Sequence, residues 1–243
     1  MGETVFLSQT TIYSSFKNKN MKNKKTIYHF IVDQSGSMAG SEAQTIEGFN
    51  SQLLTLQRLK TEFPENEYVV SVTYFEDEVM DIIKFQSVEN VSLLNRENYK
   101  PGGLTALLDG MGKSITAVKE KYGRDLENDE ASVVIVVLTD GGENASKFYT
   151  RPLIGEMIKD LDETGKWTFS FLGADFDAVR ASQDLNIRRE NIMSFDKVEY
   201  SAMMADMSDS IVEYERQKSS GNMKKDLFDI FKNKDRRDDS SAF

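Results

Sequence analysis

The chain has 243 residues, enough for one large domain or two small ones, and 39% of them are hydrophobic, enough for one real core. No apolar run approaches the roughly 18 residues of a spanning helix, which speaks against a membrane protein. The formal net charge of −10 speaks against a general nucleic-acid binder, and the absence of cysteine excludes disulfides, thiolate metal sites and a cysteine nucleophile. A cysteine-free chain of this kind fits a cytoplasmic location.

Residues 1–25 are polar, carry five lysines between Lys17 and Lys25, and have no sustained period; they read as a flexible, solvated basic arm. No secretory signal is readable, because the apolar stretch after the lysines is short, contains His29 and ends at Asp33. Met1-Gly2 is not a myristoylation signal, since position six is Phe6.

From residue 26 onward, strand and helix patterns alternate. Residues 26–33 read as a buried strand. Residues 42–62 read as a helix, with Ile46, Phe49, Leu53 and Leu56 near one face, Ser41 as a candidate cap and Pro64 as the stop. Tyr68 to Phe75 and Val79 to Phe85 flank Glu76-Asp77-Glu78, which predicts a hairpin. Leu104, Leu108, Met111, Ile115, Val118 and Tyr122 recur at spacings of three and four and predict a helix over 105–122. Residues 132–139 read as a strand, apolar without a break from Val133 to Leu138, as a central parallel strand should be. A helix over about 151–162, a strand with alternating Trp167, Phe169 and Phe171, a short helix, and a weak strand at 191–194 follow. The last helix carries Tyr200, Met203, Met207, Ile211 and Tyr214 on one stripe, which reads as a packed face.

This alternation predicts an α/β fold: a doubly wound, mostly parallel six-stranded sheet with helices on both faces. Residues 26–216 form the domain. Residues 217–243 read as a charged tail with a short apolar cluster, Leu227, Phe228, Ile230 and Phe231. That cluster has two readings of equal weight: a segment docked back on the domain, or a peptide for a partner's groove.

Ligands of such sheets sit beyond the carboxyl ends of the strands, where the winding reverses. Asp33 ends one predicted strand and opens Asp33-Gln34-Ser35-Gly36-Ser37. Asp140 follows the other, and Thr105 follows the Gly102-Gly103 turn. Two carboxylates and three hydroxyls make a hard, all-oxygen set, which selects Mg²⁺ or Mn²⁺, with Ca²⁺ as the alternative, over zinc or copper. Residues i, i+2 and i+4 of an extended turn point to one side, so Asp33, Ser35 and Ser37 can reach one point. Ser-rich turns and helix caps would explain any one of these residues, but not all five in this order.

The Asp33-Gln34-Ser35-Gly36-Ser37-Met38 run, Thr105 after Gly-Gly, and Leu138-Thr139-Asp140-Gly141 together resemble the metal-ion-dependent adhesion site of von Willebrand factor A domains. The Ser-Gly-Ser-Met form is similar to the bacterial and phage branch. The resemblance covers residues 26–216. It implies that Ser35, Ser37 and Thr105 coordinate Mg²⁺, that Asp33 and Asp140 act directly or through water, and that a partner protein supplies a Glu or Asp as the last ligand. It also implies one antiparallel edge strand, matching the hairpin, and a partner such as an AAA+ ATPase or a stress or phage-conflict complex. Gly141-Gly142-Glu143 departs from the family pattern, in which an acidic residue often follows one glycine.

Other motifs carry less. His29, the only histidine, lies in a buried strand pattern and reads as a core residue. Gly110-Met111-Gly112-Lys113-Ser114 is similar to the end of a P-loop, but Leu107 stands where the first glycine belongs and the segment is helical. The function expected is a non-enzymatic, Mg²⁺-dependent protein-interaction module. The competing class is a metal-dependent hydrolase or phosphotransferase; no histidine near the motif, no aspartyl-phosphate Asp-x-Asp pattern opening at Asp33 or Asp140 and no phosphate-loop lysine support it.

Overall fold

A computed structural model describes residues 25–140, 142–173, 184–194, 200–220 and 227. Six strands form one sheet: β1 (Lys25–Asp33), β2 (Glu67–Phe75), β3 (Val79–Ser87), β4 (Ala131–Thr139), β5 (Trp167–Gly173) and β6 (Ile192–Ser194). Their spatial order is β3-β2-β1-β4-β5-β6. Every pairing is parallel except β2 with β3 at one edge. The four long helices are α1 (Glu42–Glu62), α2 (Leu107–Glu127), α3 (Arg151–Glu163) and α4 (Tyr200–Ser219). The short helix expected after β5 lies outside the described residues.

Strand alternation divides the core. Tyr28, Phe30 and Val32 of β1 pack with Leu53 and Leu56 of α1 and Met207 and Ile211 of α4. Ile27 and Ile31 face the other way, toward Met111 and Ile115 of α2 and Ile154 and Ile158 of α3. Burial on both faces explains why β4 is apolar without alternation: all nine of its residues are buried.

Several boundaries differ from the sequence pattern for physical reasons. β1 begins at Lys25, whose ammonium is held by Asp125 at 2.7 Å. Helix α2 starts at Leu107, not at 105, because Ala106 is non-helical, so Thr105 stays in the loop. The same helix runs through Gly123 to Glu127, since Leu126 continues the buried stripe one turn beyond Tyr122. Ser41 precedes α1 but its side chain makes no capping bond; its backbone oxygen receives the Thr45 N–H. Pro64 disfavours a helical Phe63, and α1 stops there.

The last helix extends to Ser219, past the expected domain end at 216. Leu227 is 1% exposed and joins the core beside α4, with its N–H donated to Asn191 Oδ1 at 2.7 Å. For this residue the docked-back reading holds; Phe228, Ile230 and Phe231 lie outside the described residues. At the opposite edge, β3 pairs with β2 through two register shifts and carries Phe85 at a φ of 46°.

His29 is buried, as the sequence implies. Thr73 donates to Asp81 at 2.9 Å, so its oxygen is left to accept from His29 Nε2 at 3.0 Å. Nδ1 is then the unprotonated nitrogen, and it has no partner. Burial pushes the ring's pKa down to about 4, against the opposing charge of Asp81.

Candidate metal centre

The winding of the sheet reverses between β1 and β4, since β1 leads to β2 on one side and borders β4 on the other. The crevice at the carboxyl ends of these two strands is where the ligand-bearing residues meet. Asp33 ends β1 and is 0% exposed. Its Oδ1 accepts the Ser35 N–H at 2.7 Å, and its Oδ2 accepts the Thr139 hydroxyl at 2.5 Å. Its backbone oxygen receives the Tyr99 hydroxyl at 2.7 Å. Burial raises the Asp33 pKa, opposed by the bonds from Ser35 and Thr139 and reinforced by the nearby charge of Asp140.

Beyond Asp33 the chain turns through a short 3-10 segment, Gly36–Met38, which brings the two serines round. Ser35 and Ser37 hydroxyl oxygens are 3.0 Å apart, and Ser37 donates to Asp140 Oδ1 at 2.6 Å. Four of the five expected residues are therefore joined by one run of hydrogen bonds spanning two strand ends. The Thr105 hydroxyl is not part of that run. Its loop is tied to the same rim by the backbone: Gly36 N–H to Gly103 O at 3.1 Å and Gly102 N–H to Gln34 O at 2.8 Å. Gly103 makes this turn with a φ of +70°, and a Cβ there would stand 3.2 Å from the Asp77 carboxylate.

Exposure is graded across the site. Asp33, Ser35 and Thr105 are at most 4% exposed, whereas Ser37 is exposed and Asp140 half-buried. The inner side is closed by protein and the outer side faces solvent. Among the described residues no group of three or more His, Asp or Glu is placed to hold a metal ion, so a cation here would depend on the hydroxyls. The residues fit one. Octahedral Mg²⁺ with bonds of about 2.0–2.1 Å has ligand–ligand edges of about 2.9 Å. The Ser35–Ser37 and Ser37–Asp140 separations of 3.0 and 2.6 Å are near that edge. When bound, the cation would supply a positive, ligand-accepting centre to which an outside carboxylate can attach; Ser35, Ser37, Thr105, Asp33 and Asp140 would hold it.

Several residues that matter to this site are not among the five expected ligands. Thr139 and Tyr99 hold the two ends of Asp33. The segment after Asp140 is fixed by two carboxylates: Glu143, which receives the Leu108 N–H at 2.9 Å, and Asp109, which receives the N–H groups of Lys147, Phe148 and Tyr149, each at 2.9 Å. Burial pushes the Asp109 carboxyl up, but those three N–H groups and Lys113 outweigh it and hold it below the usual range. In sequence the run Glu143-Asn144-Ala145-Ser146 looks like any polar loop.

The P-loop-like segment is an ordinary stretch of α2. A Cβ on Gly112 would meet the Tyr149 ring at 2.2 Å, so that glycine makes room for the ring.

The family model of the von Willebrand factor type A domain matches residues 29–186. No curated protein matches the chain. Among solved structures, the chain is similar to the pilus adhesin SpaC from Lactobacillus rhamnosus GG, at 15% identity and a TM-score of 0.58 over 80% of this chain and 31% of that one. It is also similar to the von Willebrand factor domain of the type V pili tip protein Mfa5 from Porphyromonas gingivalis, at 10% identity and a TM-score of 0.53, covering 78% and 95%. A third is proximal thread matrix protein 1 from the mussel byssus, at 16% identity and a TM-score of 0.50, covering 77% and 46%. The chain thus spans less than half of the byssus protein and less than a third of SpaC.

Proposed function

The chain belongs to the von Willebrand factor type A family, and from that premise we propose that it is a protein-interaction module working through a divalent cation. Asp33, Ser35, Ser37, Thr105 and Asp140 hold Mg²⁺ or Mn²⁺, with Ca²⁺ as the alternative. A partner protein supplies a Glu or Asp to the open side. The observation that carries this reading is the run of oxygens from Asp33 through Ser35 and Ser37 to Asp140, closed on the inside and open outside. Hydroxyls are neutral, so the two carboxylates at most balance the ion, and an incoming carboxylate completes its shell. The names of the pilus adhesin and pilus tip protein agree with an interaction role.

The module is non-enzymatic and cytoplasmic in this reading, of the bacterial or phage form, and an AAA+ ATPase is one partner of the expected kind. His29, the chain's only histidine, is 1% exposed and engaged with Thr73, so it is not available as a base at the crevice. No helix among the described residues is long and apolar enough to cross a membrane. The decisive experiment is a pull-down from the native source in Mg²⁺ and in EDTA. Partners retained in Mg²⁺ and released by EDTA support the reading. Complexes unchanged by EDTA, or metal-dependent phosphoester turnover lost in Asp140→Ala, refute it.

A further inference from the structure

The loop that follows Asp140 is bound to the segment carrying Thr105 by more hydrogen bonds than either needs to fold as a turn. Asn144 Oδ1 accepts the Thr105 N–H at 2.8 Å, and the Asn144 N–H is donated back to Thr105 O at 3.0 Å. This reciprocal pair fixes the Thr105 backbone on both sides of its Cα. Ala145 N–H adds a further bond to Thr105 O at 3.3 Å.

Glu143 holds Asn144 in place. Its Oε1 accepts the N–H groups of Ala145 at 3.0 Å and Ser146 at 2.7 Å. Its Oε2 accepts the Ser146 hydroxyl at 2.7 Å and the Leu108 N–H, at the first turn of α2. Ser146 Oγ in turn accepts the Asp109 N–H at 3.0 Å. The carboxylate therefore satisfies donors from two segments that are 35 residues apart, Leu108 and the 143–146 loop.

We propose that Asn144 and Glu143 are positioning residues for the metal centre: they hold Thr105 in register with Asp140 and act through Thr105 rather than as ligands. The inference rests on the metal-site reading above. Its physical basis is that Thr105 is the one expected ligand whose hydroxyl is not bonded into the Asp33–Ser35–Ser37–Asp140 run. Its placement thus depends on its backbone, and its backbone is held by Asn144. Glu143 turns in to bond the loop and α2.

Mn²⁺ uptake by the full-length chain, followed by calorimetry, tests this. Asn144→Ala weakens Mn²⁺ binding roughly tenfold, as loss of an outer partner of a ligand does. In a Thr105→Ala background the same substitution adds no further loss, because its effect passes through Thr105. Asn144→Asp keeps the oxygen that receives the Thr105 N–H and restores binding to the wild-type level or above. Glu143→Gln, which faces an NH₂ group toward N–H donors, weakens binding in the same non-additive way. Thermal unfolding in EDTA stays close to wild type for Asn144→Ala. Binding unchanged in both variants, or losses that simply add to that of Thr105→Ala, would overturn the inference and leave the metal site standing. A wild-type chain that takes up no Mn²⁺ overturns the metal-site reading first, and this inference with it.

Discussion

The same two strands meet charge at both of their ends, and they do so in opposite ways. At the carboxyl ends, Asp33 and Asp140 with two serine hydroxyls face a crevice open to solvent. At the amino ends, Thr26 of β1 and Ser132 of β4 lie opposite each other in register, and both are buried. The ammonium of Lys218, from the last turn of α4, is held by the Thr26 hydroxyl at 2.6 Å and the Ser132 hydroxyl at 2.7 Å. Thr26 and Tyr28 hydroxyls in turn donate to Glu215 Oε1 at 3.0 and 2.7 Å. Here a cation sits among hydroxyls near a carboxylate, and the chain itself supplies it. The difference is instructive. An internal cation cannot be exchanged, so that end is sealed and fastens α4 to the sheet. The other end opens to solvent at Ser37 and Asp140, so a cation bound there would come from outside the chain.

Breaking the sealed end has the largest expected effect. Lys218→Ala leaves Glu215 buried without its counter-charge, and its Oε2 already lacks a partner. Stability falls by about 3–5 kcal/mol in urea unfolding, equally with and without Mg²⁺. A loss that appears only when metal is present would mean the two ends are not independent.

Midway along β1, His29 sharpens the contrast through pH. Its folded pKa of about 4 lies below the ordinary 6.5, so the unfolded chain takes up the proton first. Its contribution to stability is therefore whole above pH 6.5 and drains away as pH falls toward and through about 4, amounting to about 3 kcal/mol. His29→Leu flattens the stability–pH curve in that window; a curve that keeps its slope in the variant assigns the effect elsewhere.

At the open end, Mg²⁺ at a hundred times its Kd raises stability by about 2.7 kcal/mol. Asp33→Ala abolishes this gain while leaving the domain folded in EDTA, as paired thermal melts would record. Equal Mn²⁺ uptake by wild type and Asp33→Ala rules out the site. The smallest effect on stability belongs to Thr105→Ala, which lies in a loop: it changes unfolding in EDTA by less than about 1 kcal/mol. It nevertheless weakens partner binding in Mg²⁺. Wild-type binding by that variant would move the recruiting surface away from the crevice.

The open end was far more legible in the sequence than the sealed one. β1 and β4 announce themselves as unbroken apolar runs, each ending in Asp or Thr-Asp, and α1 is bracketed by Ser41 and Pro64. The hydroxyl ligands follow at short, fixed spacings. Glu215 and Lys218 carry no such signal. In one dimension Glu215 looks like an ordinary polar residue of the last helix and Lys218 like a charge of the tail, which the sequence pattern places from 217 onward. Only the packing of α4 against the sheet puts their side chains beneath Thr26 and Ser132. The contacts of Asn144 and Glu143 were unreadable for a related reason, since a side chain accepting backbone N–H groups from 35 or more residues away leaves no period. The apolar spacing stopped short in the other direction: it ends at Tyr122, whereas α2 runs on through Gly123 because Leu126 has a core to reach.

The edge strand β3 has a consequence for life at high concentration. A flat outer strand with free N–H and C=O groups is a template for a second copy, and stacked copies grow into fibres. Here the ladder slips twice against β2, and Phe85 meets the Tyr122 ring edge to face, with the ring centres 5.5 Å apart. Asp81 and Lys84, paired at 3.4 Å, put exposed charge on the same strand as the exposed Met80 and Ile82. A strand so bent and charged is a poor seam for self-assembly, and the domain can be crowded without sheets joining into one another.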